Sequence, residues 1–334
     1  MDTSAPNGSL AATARRADTA APTVPGPPPA ASAYAPASQD PPAGPRTASP
    51  RPEPTTASPR PDAVDALAGL LAARGVLVLS GAGLSTESGI PDYRGETGRR
   101  RSGTPMTYQE FAGDHASRQR YWARSHLGWR AIAAARPNAG HHAVARLAAA
   151  GLVSGVVTQN VDGLHAAAGT PGAVELHGSL HRVLCLNCGD RSSRTHLEER
   201  LAQANPGFGG RATRTNPDGD AELDQEHIAA FRTVPCQVCA TGTLKPDVVF
   251  FGENVPKPRV EQCYAMVDAA SALLVLGSSL TVMSGLRFVR HAAKQGKPVA
   301  IVNQGPTRGD DLAVLRVDLP LGATLTALAD RLHA

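Results

Sequence analysis

The stretch from Gly81 to Gly95 constrains everything around it, because a run of large aliphatics, Val76 to Leu79, ends there in Gly-Ala-Gly. A short apolar run closed by glycines reads as a buried strand. Glycine has no Cβ, so the turn after such a strand can approach a diphosphate closely and aim backbone N–H groups at it. The same residues serve equally well as a plain tight turn between strand and helix. A dinucleotide loop of the hydride-transfer type wants a third glycine three residues after the second, and an acid roughly 20 residues further on. Here the next glycine is Gly89, and the region for the acid reads Arg99, Arg100, Arg101, which disfavours an ordinary dehydrogenase. Beyond its glycines the loop packs polar chemistry: Ser85, Ser88, Asp92 and Arg94, with Pro91 stiffening the chain.

Upstream of this loop the chain changes character. Fourteen of the 28 prolines lie in the first 60 residues, among Ala, Ser and Thr. That composition buries too little apolar surface to offset its ordering entropy, so residues 1–61 are expected to form a disordered tail and 62–334 the folded domain. No stretch has the pattern of a signal or transit peptide, and none reaches the roughly 20 apolar residues of a membrane span. A soluble, cytoplasmic protein with no membrane contact is expected. The net charge is +4, but only four of the 33 basic residues are lysine, which looks like coding bias in a GC-rich genome. Arg99 to Arg101 reads as a solvated loop, and no direct nucleic-acid partner is expected.

Periodicity becomes regular from Asp62. Val64, Leu67, Leu70 and Leu71 have helical spacing, and Tyr108 to Arg130 also reads as helix. Pro137-Asn138 starts another helix, to about Ala150, whose His141 and His142 are expected to cap or pack. Val153 to Thr158 is a second buried strand and delivers Gln159-Asn160-Val161-Asp162-Gly163-Leu164-His165. Parallel sheets present ligand groups at the carboxyl ends of their strands, although a polar turn would look the same. Two more strands, Leu273 to Leu276 and Val299 to Val302, end in Gly277-Ser278-Ser279 and Asn303-Gln304-Gly305. A last strand, Leu315 to Leu319, and a helix to Leu332 close an α/β chain.

Cys185-x-x-Cys188 and Cys236-x-x-Cys239 are two knuckles with metal-ligand spacing, able to present four thiolates to one tetrahedral zinc. Two disulfides are the alternative, disfavoured in a reducing compartment. No open-site ligand adjoins either knuckle, so the zinc is expected to be structural, and Cys263 an ordinary buried thiol. Between the knuckles, Leu197 to Ala202 and Ile228 to Phe231 read as helical and Asn205 to Asp220 as loop.

Taken in order, these strings closely resemble the sirtuins, the NAD-dependent protein deacylases. The likeness runs over about residues 62–332 and is greatest with the class II sirtuins, which include the mitochondrial sirtuin 4. It implies a Rossmann-like parallel sheet (62–180 and 244–334) with an inserted small zinc-binding module (181–243) and a helical segment. It implies that NAD is held by Gly81, Ala82, Gly83, Ser85, Ile90, Asp92, Tyr93 and Arg94. Gln159 would meet the ribose, and Asn160 and Asp162 would line the nicotinamide pocket. Gly277, Ser278, Ser279, Asn303, Gln304 and Gly305 would hold the adenosine half. His177, in Glu175-Leu176-His177-Gly178, would be the general base; a side chain that titrates near neutrality suits that work, though a lone histidine before glycine is often structural.

The run Leu244 to Glu253 is either a plain core strand or, as the resemblance implies, the segment that pairs with substrate backbone, with Val249, Phe250 and Gly252 lining an acyl-lysine tunnel. Tyr121 and Arg124 form a Tyr-x-x-Arg pair like that with which desuccinylating sirtuins grip an acyl carboxylate; the alternative is a core tyrosine beside a surface arginine. The implied partners are acylated-lysine proteins. The implied reaction expels nicotinamide from NAD and moves the acyl group from lysine to ADP-ribose. Mono-ADP-ribosyl transfer, amidase action on other acyl groups, and a weakly catalytic NAD-sensing binding module stand as alternatives.

Overall fold

In the computed structural model, residues 61–92, 105–208, 223 and 225–334 are described. The expected tail lies outside them except for Pro61, and so do Tyr93, Arg94 and the run Arg99 to Arg101.

Helix α1 (Pro61–Ala72) turns Val64, Leu67, Ala68 and Leu71 inward, the spacing of one helical face. Strand β1 (Val76–Ser80) follows and is buried at every position. A 3-10 turn over Ala82–Ser88 then ends at Gly89 with φ +82°. The helical stretch from Tyr108 is two helices, α2 (Tyr108–Gly113) and α3 (His115–Ala134). Asp114 breaks it, because its carboxylate accepts from the N–H groups of Ala116 and Ser117 and caps α3. Helix α4 (Ala139–Ala149) starts from a capping box between Asn138 and His141.

The chain continues through β2 (Val153–Thr158), α5 (Leu164–Ala167), β3 (Val174–Glu175), β4 (Gly178–Cys185), β5 (Arg191–Ser193), α6 (Arg194–Ala204) and α7 (Gln225–Ala230). It ends with β6 (Leu244–Val248), α8 (Lys257–Ala269), β7 (Ala272–Leu276), α9 (Met283–Lys294), β8 (Val299–Val302), β9 (Leu315–Val317) and α10 (Leu321–Arg331).

Six strands form one parallel sheet in the order β3-β2-β1-β7-β8-β9, and β5-β4-β6 form a small antiparallel sheet. Alternation along β1 divides the large sheet's two cores: Val76 and Val78 pack with α1, α4 and α10, while Leu77 and Leu79 pack with α8 and α9. A third core, from Phe111, Tyr121, Trp122, Val183, Leu197, Ile228 and Phe231, joins α2 and α3 to the small sheet and its helices.

The order of the large sheet reverses between β1 and β7, and at such a switch point two neighbouring strand ends open a crevice at their carboxyl ends. Gly81 and Gly83 follow β1; Gly277 follows β7. A Cβ on Gly81 would lie 2.7 Å from Ser278 Cβ, and one on Gly83 would lie 2.9 Å from Gly277 Cα. Gly277 itself sits at φ +61°, where a Cβ would lie 2.5 Å from Leu84 N. These glycines therefore let the two loops pack backbone against backbone.

Behind this junction lie two buried histidines. His165 Nε2 bonds to Ser80 Oγ at 2.8 Å, and His141 meets His165 edge to face with ring centroids 5.2 Å apart. His141 is wholly buried, whereas His142 beside it is exposed. Burial pushes His141 down to about 3 and His165 down to about 4, and among the described residues His141 Nε2 and His165 Nδ1 have no hydrogen-bond partner. Both stay neutral in the fold but charge in the unfolded chain below about pH 6.5. The unfolded state then binds more protons, so this stability is complete above about pH 6.5 and is lost as pH falls toward 4. Urea unfolding at pH 7.5 to 4.5 should show that decline, and His165→Gln should flatten it by up to one proton. A parent-like slope in the variant would mean that His165 is already charged in the fold.

Candidate active site

At the switch point a cavity of ≈ 620 Å³ opens between the large sheet's strand ends and the β6–α8 segment. Every side of it carries residues singled out in the sequence. From the β1 loop come Gly81, Ala82, Gly83, Ser85, Ile90 and Asp92; from the end of β2, Gln159, Asn160 and Asp162. Gly277, Ser278 and Ser279 after β7, and Asn303, Gln304 and Gly305 after β8, form the far end. His177, Val249, Phe250, Gly252 and Tyr121 complete the wall.

Three polar side chains form a directed chain. Asn160 Nδ2 donates to Ser85 Oγ at 3.0 Å and to the carbonyl of Gly81 at 3.1 Å, and Ser85 donates in turn to Asp162 Oδ2 at 2.7 Å. Asp162 Oδ1 accepts from Leu164 N at 2.9 Å. Burial raises the Asp162 pKa, and the bonds from Leu164 and Ser85 oppose that rise. Each donor in the chain faces an acceptor, so Asn160 and Asp162 are held in fixed orientations before any ligand arrives.

His177 lies beside this chain and its tautomer is determined. Nδ1 is 2.9 Å from the carbonyl oxygen of Gln159, which can only accept, so Nδ1 carries the ring hydrogen. Nε2 is left as the acceptor and faces Ser284 Oγ at 2.8 Å. Burial, with Arg259 and Arg287 adding to it, lowers the His177 pKa and keeps the imidazole neutral. A neutral imidazole whose acceptor nitrogen faces a cavity-lining hydroxyl has what a general base requires.

The segment after β6 is held by a buried cation. Lys245, 2% exposed, pairs with Glu253 at 2.9 Å and donates to the carbonyl of Val248, while Glu253 accepts from Phe250 N at 2.9 Å. The regular strand stops at Val248, and this clamp shapes the following residues as one wall of the cavity. Tyr121 reaches the wall through an aromatic cluster, 5.4 Å from Phe111, 5.2 Å from Trp122 and 5.3 Å from Phe250 between ring centroids. Arg124 is not among the residues lining the cavity. Three residues turn a helix by about 300°, so Arg124 stands about 60° round α3 from Tyr121.

Reading the sequence missed Leu280 to Ser284 and Arg287, which line the cavity beside His177. The signal was present in the helical spacing of Leu286, Val289 and Ala292 just after Gly277-Ser278-Ser279, which places the start of α9 at the cavity.

The four knuckle cysteines come together at the tip of the small sheet. Cys185 and Cys239 Sγ are 3.8 Å apart, as are Cys188 and Cys236, and all four lie within 4.8 Å of one another. A disulfide needs about 2.05 Å, whereas two thiolates on a tetrahedral zinc at about 2.3 Å stand about 3.8 Å apart. The donor set and spacing thus fit a structural zinc. Gly242 makes room for it, since a Cβ there would run into the sulfurs of Cys185 and Cys239. Cys263 is buried away from the four.

Residues 81–284 match the model of the Sir2 family. The chain belongs to the Sir2 family. Among its relatives, NAD-dependent protein deacetylase 1 of Streptomyces coelicolor is 65% identical over 266 residues, covering 80% of this chain and 89% of that protein. NAD-dependent protein deacetylase 1 of Mycobacterium avium is 54% identical over 273 residues, covering 80% of this chain and 94% of that protein. A solved Sir2 structure with a p53 peptide and NAD+ is 28% identical with a TM-score of 0.62, over 80% of this chain and 96% of that one. NAD and zinc are the cofactors of this Sir2 chain.

Structural zinc contributes on the order of 10 kcal/mol to folding in small ligand sets, comparable with the stability of a whole domain. Cys239→Ser should yield protein without zinc by metal analysis and with poor solubility. A soluble, zinc-free variant with parental activity would contradict a structural metal.

Proposed function

We propose that this protein is a cytoplasmic NAD-dependent lysine deacylase that removes acyl groups from proteins. The observation that carries this reading is His177: one ring nitrogen committed to a backbone carbonyl, the other an acceptor, in the same cavity as the Asn160-Ser85-Asp162 chain. Bound NAD supplies the bond between nicotinamide and ribose that is cleaved and the ribose hydroxyls that receive the acyl group.

The residues divide that work by position. Asn160 and Asp162 hold the nicotinamide end, and the junction of Gly81, Gly83 and Gly277, whose own N–H groups are bonded to the carbonyls of Leu276, Gly277 and Val302, gives the diphosphate a side-chain-free surface to lie against. Asn303, Gln304 and Gly305 take the adenosine end, with Gln159 at the ribose. His177 Nε2 is the base that takes up one proton when a ribose hydroxyl is deprotonated. Val249, Phe250 and Gly252, held by Lys245 and Glu253, pair with the substrate main chain, a mode that tolerates many protein sequences. The aromatic wall around Tyr121 and Phe250 is apolar, so short neutral acyl chains suit it, and acetyl-lysine is the substrate we assign.

Acetyl-lysine peptide and NAD should give nicotinamide and O-acetyl-ADP-ribose in equal amounts by mass spectrometry. ADP-ribose attached to protein would indicate a transferase, and absence of both products a binding module. His177→Ala should bind NAD and lower the deacetylation kcat by about 10² or more, the usual share of a general base. Activity within a few-fold of the parent would remove His177 from that role.

A further inference from the structure

A proton taken up by His177 must reach Nε2, and one group already stands there. Ser284 Oγ lies 2.8 Å from Nε2. Because Nδ1 carries the ring hydrogen toward Gln159, the Ser284 hydroxyl is the donor in this bond and occupies the one lone pair of Nε2. No sugar hydroxyl can bond to Nε2 while that contact stands. The oxygen of Ser284 keeps its own lone pairs, and both residues line the cavity.

The placement depends on local sequence. Ser284 is the second residue of α9, where a serine ordinarily competes for the N–H groups of its own helix, yet no side chain caps α9. Its hydroxyl crosses to His177 instead. Gly285 permits the approach, because a Cβ there would lie 2.6 Å from Gln159 Oε1. Gln159 thus meets the pair from both sides, with its carbonyl on His177 Nδ1 and its side chain against Gly285.

We propose that Ser284 is a catalytic proton relay between the ribose hydroxyl of NAD and His177. As the sugar O–H bond breaks, its proton passes to Ser284 Oγ while the Ser284 proton passes to Nε2. One proton leaves the sugar, the electron pair of the broken bond stays on the sugar oxygen, the imidazole becomes imidazolium, and Ser284 is neutral before and after. This rests on the deacylase reading above. If the ribose hydroxyl instead displaced Ser284, the serine would be dispensable.

The test uses the full chain, acetyl-lysine peptide and NAD, with two readouts. Exchange of labelled nicotinamide into NAD needs only cleavage and re-formation of the glycosidic bond; single-turnover acetyl transfer also needs the base. Ser284→Ala should keep exchange within about threefold and slow acetyl transfer by about 10-fold or more. Ser284→Thr, which restores the hydroxyl, should recover at least about a third of the lost rate. In mixtures of light and heavy water the parent's acetyl transfer should show two protons in motion and Ser284→Ala one. Unimpaired acetyl transfer in Ser284→Ala, or exchange falling in step with it, would overturn the relay. The parent alone decides even if the variant fails to fold, since a one-proton curve also overturns it. A parent that performs no nicotinamide exchange overturns the deacylase reading itself and is told apart by that missing signal.

Discussion

Backbone contact between the loops after β1 and β7 is the constraint on which the rest of the site depends. Two parallel strands run side by side, from Val76 against Ala272 to Ser80 against Leu276, and their chains must then diverge without side chains between them. Gly81 and Gly83 supply the absence on one side and Gly277, in a left-handed conformation, on the other. The close approach brings Gly81 O to Asn160 and Ser278 Oγ to Gln159, at 3.1 and 2.8 Å. The cofactor end of the cavity is therefore a product of strand packing before it is a matter of individual polar groups.

The polar groups are arranged so that little reorganisation is needed. Asn160, Ser85 and Asp162 satisfy one another in sequence, and a preorganised set of dipoles in a buried site stabilises charge better than mobile ones. On the substrate side, Lys245 and Glu253 perform the corresponding task for main chain. A cation 2% exposed would be costly alone, but this one has a carboxylate, a carbonyl and the faces of Tyr108 and Phe250 around it. A second buried cation, Arg194, pairs within α6 with Glu198 at 2.7 Å and ties α6 to α3 by donating to the carbonyl of Ser125 at 3.3 Å, with Trp122 and Trp129 of α3 beside it. These contacts carry the position of the small sheet's helices to the aromatic wall at Tyr121.

Much of this was legible in the residues. Val299–Val302 has the bounds read from its apolar run, because a strand buried at every position consists of little else, and Val153–Thr158 has the bounds read although Ser154 is exposed. The cysteine knuckles were legible because metal ligation demands a spacing that few other requirements impose. Asp114 was harder to see: a single capping carboxylate divides a stretch whose composition is helical throughout. Helices α8 and α9 escaped notice, since their first turns hold prolines or a Val-Met-Ser-Gly string without a side-chain cap. Ser284 escaped with them, as its partner His177 is 107 residues away and only the fold joins the two. The glycines stand out in the sequence as a site for close ligand approach, but their missing Cβ atoms face the neighbouring strand end, a requirement that only the fold displays.

The central claim, that the cavity is built by side-chain-free packing at the β1–β7 junction, is tested most directly by Gly277→Ala. Strain at φ +61° together with a Cβ against Leu84 N costs on the order of 2 kcal/mol, so the melting temperature should fall by about 4 °C or more. Displacement of the two loops should also weaken NAD binding about tenfold, which calorimetry on the zinc-loaded variant would record. Parental affinity and parental melting temperature together would contradict the account.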